Sequence, residues 1–131
     1  MNDFEAVHAR LREIVLEHRD DLVVTKDGPA GMALEIPGLE GMPWGYVAGT
    51  RLGKSYVSYY LMPMYASPAL RDTISPALAK RMQGKACFNF TTVNEDLFAE
   101  LADVTSRGIA GYREQAELKA SERRGAAQKS R

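Results

Sequence analysis

The sequence predicts an α+β fold, a two-layer sandwich whose mainly antiparallel sheet of about five strands carries helices packed on one face. Two hairpin signals and three helix-cap signals lead there. Residues 42–65, MPWGYVAGTRLGKSYVSYYLMPMY, hold two β-rich runs around Leu52-Gly53-Lys54. Leu22 to Lys26 and Met32 to Ile36 are shorter β-prone runs bracketing Asp27-Gly28-Pro29-Ala30-Gly31, the composition of a tight turn. Strands that arrive as hairpins favour an antiparallel sheet over a βαβ dinucleotide-binding unit.

The elements follow in chain order. Phe4, Val7, Leu11, Ile14 and Val15 recur at helical spacing behind an Asn2/Glu5 capping box, which predicts a first helix from about Asp3 to His18. Pro37, Gly38, Gly41, Pro43 and Gly45 mark a loop before the central hairpin. The motif SPAL occurs at Ser67 and again at Ser75, each time with Ser able to cap a helix and Pro at the first helical position. The second of these helices is expected to end near Met82, with Gly84 as the left-handed residue that turns the chain into a strand over Lys85 to Phe90. Asn94 caps a last helix, with Val93 and Phe98 placed as a hydrophobic staple. Gly108 and Gly111 weaken its end, and Tyr112 is the last residue expected to pack.

The chain of 131 residues fits one domain over residues 1–112, with 113–131 as a charged C-terminal extension, helical or disordered. Residues 1–112 carry 11 Lys and Arg against 14 Asp and Glu, whereas 113–131 carry 6 against 3. Three excess positive charges without an aromatic residue disfavour nucleic acid as a partner. The apolar runs are too short to span a bilayer, and the acidic, amphipathic start lacks the parts of a secretory signal. A lone cysteine, Cys87, agrees with a reducing compartment, so the expected location is cytoplasmic and no membrane partner is expected.

Gly53-Lys54-Ser55-Tyr56-Val57-Ser58 through Leu61-Met62-Pro63, and Gly84-Lys85-Ala86-Cys87-Phe88-Asn89-Phe90 with Leu97 and Leu101 behind it, resemble the YdhG-like family, a domain of unknown function. The likeness spans roughly residues 4–112. It implies a compact bacterial α/β sandwich in the cytosol, related in at least one branch to frataxin-like iron chaperones.

Three kinds of site come into view. The frataxin-like branch implies exposed carboxylates on the first helix as iron ligands, and Glu13, Glu17 and Asp21 fall on one stripe while the helix lasts. Arg10, Arg12 and Arg19 are close enough in sequence to pair with them, so a salt-bridged face explains the same pattern, and no cofactor other than iron is suggested. His8 and His18 lie too far apart to share an ion. Catalysis would have only Cys87, Lys85 and the tyrosines to use, with no acid–base pair, which points away from an enzyme.

The third site is the outer sheet face. If Gly53-Lys54 forms a two-residue turn, Thr50 pairs with Val57, Ala48 with Tyr59 and Tyr46 with Leu61, and these face the core. The opposite side then presents Val47, Tyr56, Ser58, Tyr60 and Met62, joined by Lys85, Cys87 and Asn89 from the later strand. Such an apolar-aromatic surface with hydroxyl handles suits a small ligand, a protein partner or a second copy in a homodimer. The expected function is therefore a small binding or chaperone-like module, with frataxin-like iron binding as the alternative.

Overall fold

The structure, a computed structural model, describes residues 4–42 and 44–129, with side chains described through residue 122. Asn2, the expected cap of the first helix, lies outside the described residues. The elements run α1 (Phe4–Leu16), β1 (Val23–Gly28), β2 (Gly31–Glu35), β3 (Tyr46–Leu52), β4 (Val57–Leu61), α2 (Met62–Ala66), α3 (Pro68–Arg71), α4 (Pro76–Ala79), β5 (Met82–Gln83), β6 (Cys87–Phe90) and α5 (Glu95–Lys129). The fold is α+β. Among the described residues one sheet of six strands forms, in the order β1-β2-β3-β4-β6-β5, and every neighbouring pair is antiparallel.

Both long helices lie on one face. Thr50 and Tyr59 are directly paired across β3 and β4, so their side chains project to the same side. His8 of α1 meets the Thr50 hydroxyl at 2.7 Å, and the Tyr59 hydroxyl meets Thr105 of α5 at 2.7 Å. Helix α1 turns Val7, His8, Leu11, Ile14 and Val15 to the sheet, as its periodicity requires. Helix α5 contributes Phe98, Leu101 and Val104, and Phe98 meets Phe90 edge-on with ring centroids 5.0 Å apart. Leu34, Val57, Leu61 and Phe88 complete this layer, and taking each such side chain out of water contributes about 1.5–3 kcal/mol.

The caps behave as their chemistry demands. Ser67 accepts the Leu70 N–H, Ser75 the Leu78 N–H and Asn94 the Leu97 N–H, with Pro68 and Pro76 opening their short helices. At the expected staple, Val93 stays exposed while Phe98 is buried and packs on Phe90.

Four local expectations are corrected. The central hairpin does not close in a two-residue turn: Leu52 pairs with Val57, Thr50 with Tyr59 and Ala48 with Leu61, leaving a four-residue loop closed by the Gly53 N–H on the Tyr56 carbonyl. The register moves by two residues, so the faces of β4 are unchanged. Second, a bulge reverses the face of Tyr46. Leu34 pairs with Ala48 but Glu35 with Tyr46, which makes Val47 the extra residue; Tyr46 joins Glu35 on the outer side, and Val47 becomes fully buried. Third, α4 stops at Ala79, and Gly84, with φ +79, sits in the turn between β5 and β6 instead of capping a helix. Fourth, α5 runs unbroken through Gly108 and Gly111, and packing continues past Tyr112 to Ala116 and Ala120. Gly108 serves close approach: a Cβ there would stand 2.7 Å from a Pro63 side-chain carbon and 2.8 Å from one of Leu70.

Candidate functional site: the outer face of the sheet

Alternation along β3, β4 and β6 sends Gly49, Arg51, Ser58, Tyr60, Cys87 and Asn89 away from the helices, because their neighbours Thr50, Tyr59 and Phe88 point into the core. Gly49 pairs with Tyr60, Tyr60 with Cys87, Arg51 with Ser58 and Ser58 with Asn89. The short helices that follow β4 do not roof this face. Pro63 and Leu70 press on Gly108 of α5, on the helical side.

A hydrogen-bond relay crosses the outer face. Asn89 Oδ1 accepts from the Ser58 hydroxyl at 2.8 Å and from the Cys87 thiol at 3.4 Å, while Asn89 Nδ2 donates to Gln83 Oε1 at 2.7 Å. Ser58 is buried although it faces outward, whereas Tyr60, Cys87 and Asn89 are half-buried. Tyr46 lies over Gly49, where a Cβ would stand 2.1 Å from the phenol oxygen, so only glycine admits the ring there. Burial, and then the neighbouring Tyr60, Glu35 and Cys87, raise the Tyr46 phenol well above its ordinary value, so it remains a neutral hydrogen-bond donor. Glu35 is occupied: it accepts the Gly41 N–H at 2.9 Å and the Thr25 hydroxyl.

The thiol is not poised for attack. Burial raises its pKa, the neighbouring Ser58 hydroxyl opposes this without reversing it, and the group stays protonated at neutral pH. Both histidines are engaged elsewhere, His8 on Thr50 and His18 with Ser106 at 3.5 Å. Lys85 is exposed in the β5–β6 turn.

Of the residues expected on the outer face, Ser58, Tyr60, Cys87 and Asn89 come together. Tyr56 stands at the hairpin tip, 39% exposed, and lines a cavity of about 500 Å³ with Arg51, Lys54, Ser55 and Ser58. Met62 leaves the group. The strand ends at Leu61, and Met62 opens α2 to line a separate groove of about 450 Å³ with Trp44, Tyr65, Tyr112, Gln115 and Lys119. Sequence reasoning missed Tyr46, Arg51, Gln83 and this groove. Gly49 inside a β-rich run was the available signal for Tyr46, since a strand glycine marks close approach.

The acidic stripe of α1 does not fit an iron site. The helix ends at Leu16, so Glu17 and Asp21 both fall outside it, and Glu13 pairs with Arg10. Among the described residues no three His, Cys, Asp or Glu side chains are grouped to hold a metal ion. Arg10 also clasps Glu95 at 2.6 and 2.9 Å, tying the start of α5 to α1.

Comparison with family models, with curated proteins and with solved structures returned no match. Among the described residues no helix is long and apolar enough to cross a membrane.

Proposed function

We propose that this chain is a small non-enzymatic binding module that captures a small ligand or a protein partner on the outer face of its sheet. The observation that carries the reading is the one-sided packing of α1 and α5, which leaves Tyr46, Ser58, Tyr60, Cys87 and Asn89 as a connected, partly open set of aromatic and polar groups. Aromatic bodies supply contact area at low entropy cost, and the phenol, thiol and amide groups fix orientation. The stretches that resemble the YdhG-like family fit the same reading, since they include β4 and β6, two strands that carry this face. Iron transfer is not part of it.

Tyr60→Ala is the discriminating variant, because Tyr60 is half-buried at the centre of the face and contributes nothing to the helical layer. Wild type and variant are screened for thermal stabilisation by a mixture of small metabolites, and for self-association by sedimentation. Loss of the wild-type stabilisation or self-association with an unchanged far-ultraviolet spectrum is expected. A folded variant that retains every wild-type response refutes the reading.

A further inference from the structure

We propose that the cavity at the tip of the β3–β4 hairpin binds the phosphate head of a small organic phosphate monoester. The proposal rests on the outer-face reading, because this cavity opens at one end of that face and shares Ser58 with its relay.

Charge and donor supply carry the argument. Arg51, Lys54, Ser55 and Tyr56 line the cavity, and none of these side chains makes a hydrogen bond or ion pair among the described residues. Arg10 pairs with Glu95, Arg12 with Asp27, Arg107 with Asp103 and Arg113 with Glu117, whereas Arg19 and Arg81 are, like Arg51, exposed without such a partner among the described residues, but neither lines this cavity. The carboxylates of the adjoining β1–β2 hairpin are taken as well, Asp27 by Arg12 and Glu35 by Thr25 and the Gly41 N–H. Two cations are thus left uncompensated on a body whose overall charge is negative.

The geometry leaves the Arg51 fork open. Its partner across β2 is Gly31, where a Cβ would stand 2.4 Å from the Thr50 carbonyl oxygen, so no side chain covers the guanidinium from that strand. A planar guanidinium grips two oxygens of a phosphate at once, and the ammonium of Lys54 adds a point charge. The Ser55 and Tyr56 hydroxyls can donate to the remaining oxygen. Ser58 cannot, since its proton is held by Asn89, and it forms the buried floor.

A phosphate monoester matches this set better than a carboxylate, which has one charge and two oxygens. The monoester carries about −1.5 to −2 charges and three terminal oxygens near neutral pH. The cavity of about 500 Å³ leaves room for an organic body beside the head, with the exposed Tyr56 ring as a wall.

Calorimetry at low salt tests the inference with AMP, inorganic phosphate and adenosine as probes, on wild type, Arg51→Gln and Arg51→Lys. AMP should bind one to one and more tightly than inorganic phosphate, with adenosine giving no saturable heat. Arg51→Gln should weaken AMP by about tenfold or more, and Arg51→Lys should restore part of the loss. Arg51 is exposed, so both variants keep the fold, which circular dichroism checks. Adenosine binding as tightly as AMP, AMP binding indifferent to Arg51→Gln, or no saturable heat with either phosphate would overturn the inference. If the phosphates fail while a Tyr60-dependent ligand is found, the outer-face reading stands without this one. If AMP binds through Arg51 yet Tyr60→Ala changes nothing in the metabolite and self-association screens, the phosphate site stands and the wider face does not.

Discussion

The contact between Tyr59 and Thr105 joins the sheet to α5 at a point where both side chains are fully buried, and its energetics can be worked out before measurement. Thr105 Oγ1 donates to the Leu101 carbonyl at 2.7 Å, so in the Tyr59 pair it is the acceptor and the phenol is the donor. Removing either partner therefore has unequal consequences. Tyr59→Phe deletes the donor and leaves Thr105 still bonded to Leu101, which should cost about 1 kcal/mol. Thr105→Val keeps the volume but leaves the phenol with no partner in a dry core, costing about 2–3 kcal/mol. With both changes no orphan remains, so the double variant should be only about 1 kcal/mol less stable than wild type, and the cycle should give a coupling of about 2–3 kcal/mol. Urea unfolding followed by circular dichroism reads all three values. Additive losses would mean that the two hydroxyls do not meet and that α5 does not lie over the Tyr59 face.

His8 is held below its ordinary value of 6.5, first by burial and then by Arg12, with Asp27 opposing. Between 6.5 and that lowered value the unfolded chain binds a proton that the folded chain refuses, so stability should fall as pH drops through this window. His8→Gln should flatten this part of the urea-midpoint profile, and an unchanged slope would assign it to other groups. Gly49→Ala should destabilise by about 1–3 kcal/mol, because the new methyl meets the Tyr46 phenol and also the Met32 carbonyl oxygen at 2.5 Å. Adding Tyr46→Ala should recover only part of the loss in thermal unfolding, since the carbonyl does not move away. Truncation after Tyr112 should lower the unfolding midpoint by removing the buried Ala116 and Ala120, and an unaffected midpoint would make those contacts inconsequential.

Much of the fold is legible in the sequence because local rules suffice for it. Ser67, Ser75 and Asn94 cap as short polar residues must, and the alternation of Phe88 and Phe90 against Cys87 and Asn89 holds, while Lys85 and Ala86 fall in the turn before the strand. What escaped depends on non-local pairing. The bulge at Val47 is visible only once Glu35 is known to face Tyr46, and the four-residue hairpin loop is fixed by the partners of Leu52 and Thr50, not by Gly53-Lys54 alone. The charge-rich composition beyond Tyr112 hid two alanines at helical spacing, too small to signal burial by themselves. In the candidate site Ser58, Tyr60, Cys87 and Asn89 follow from the period-two rule. Arg51 did not stand out, because an unpaired cation is recognised only after the partners of the other arginines are known.

The central claim is that binding occurs on the sheet face opposite α1 and α5. Backbone amide shifts of the isotopically labelled protein, followed while the ligand or second copy found in the Tyr60 screens is titrated in, test it most directly. The largest shifts should fall on Tyr46, Gly49, Ser58, Tyr60, Cys87 and Asn89. Shifts confined to the Trp44, Tyr65 and Tyr112 groove, or to the exposed surface of α5, would contradict it.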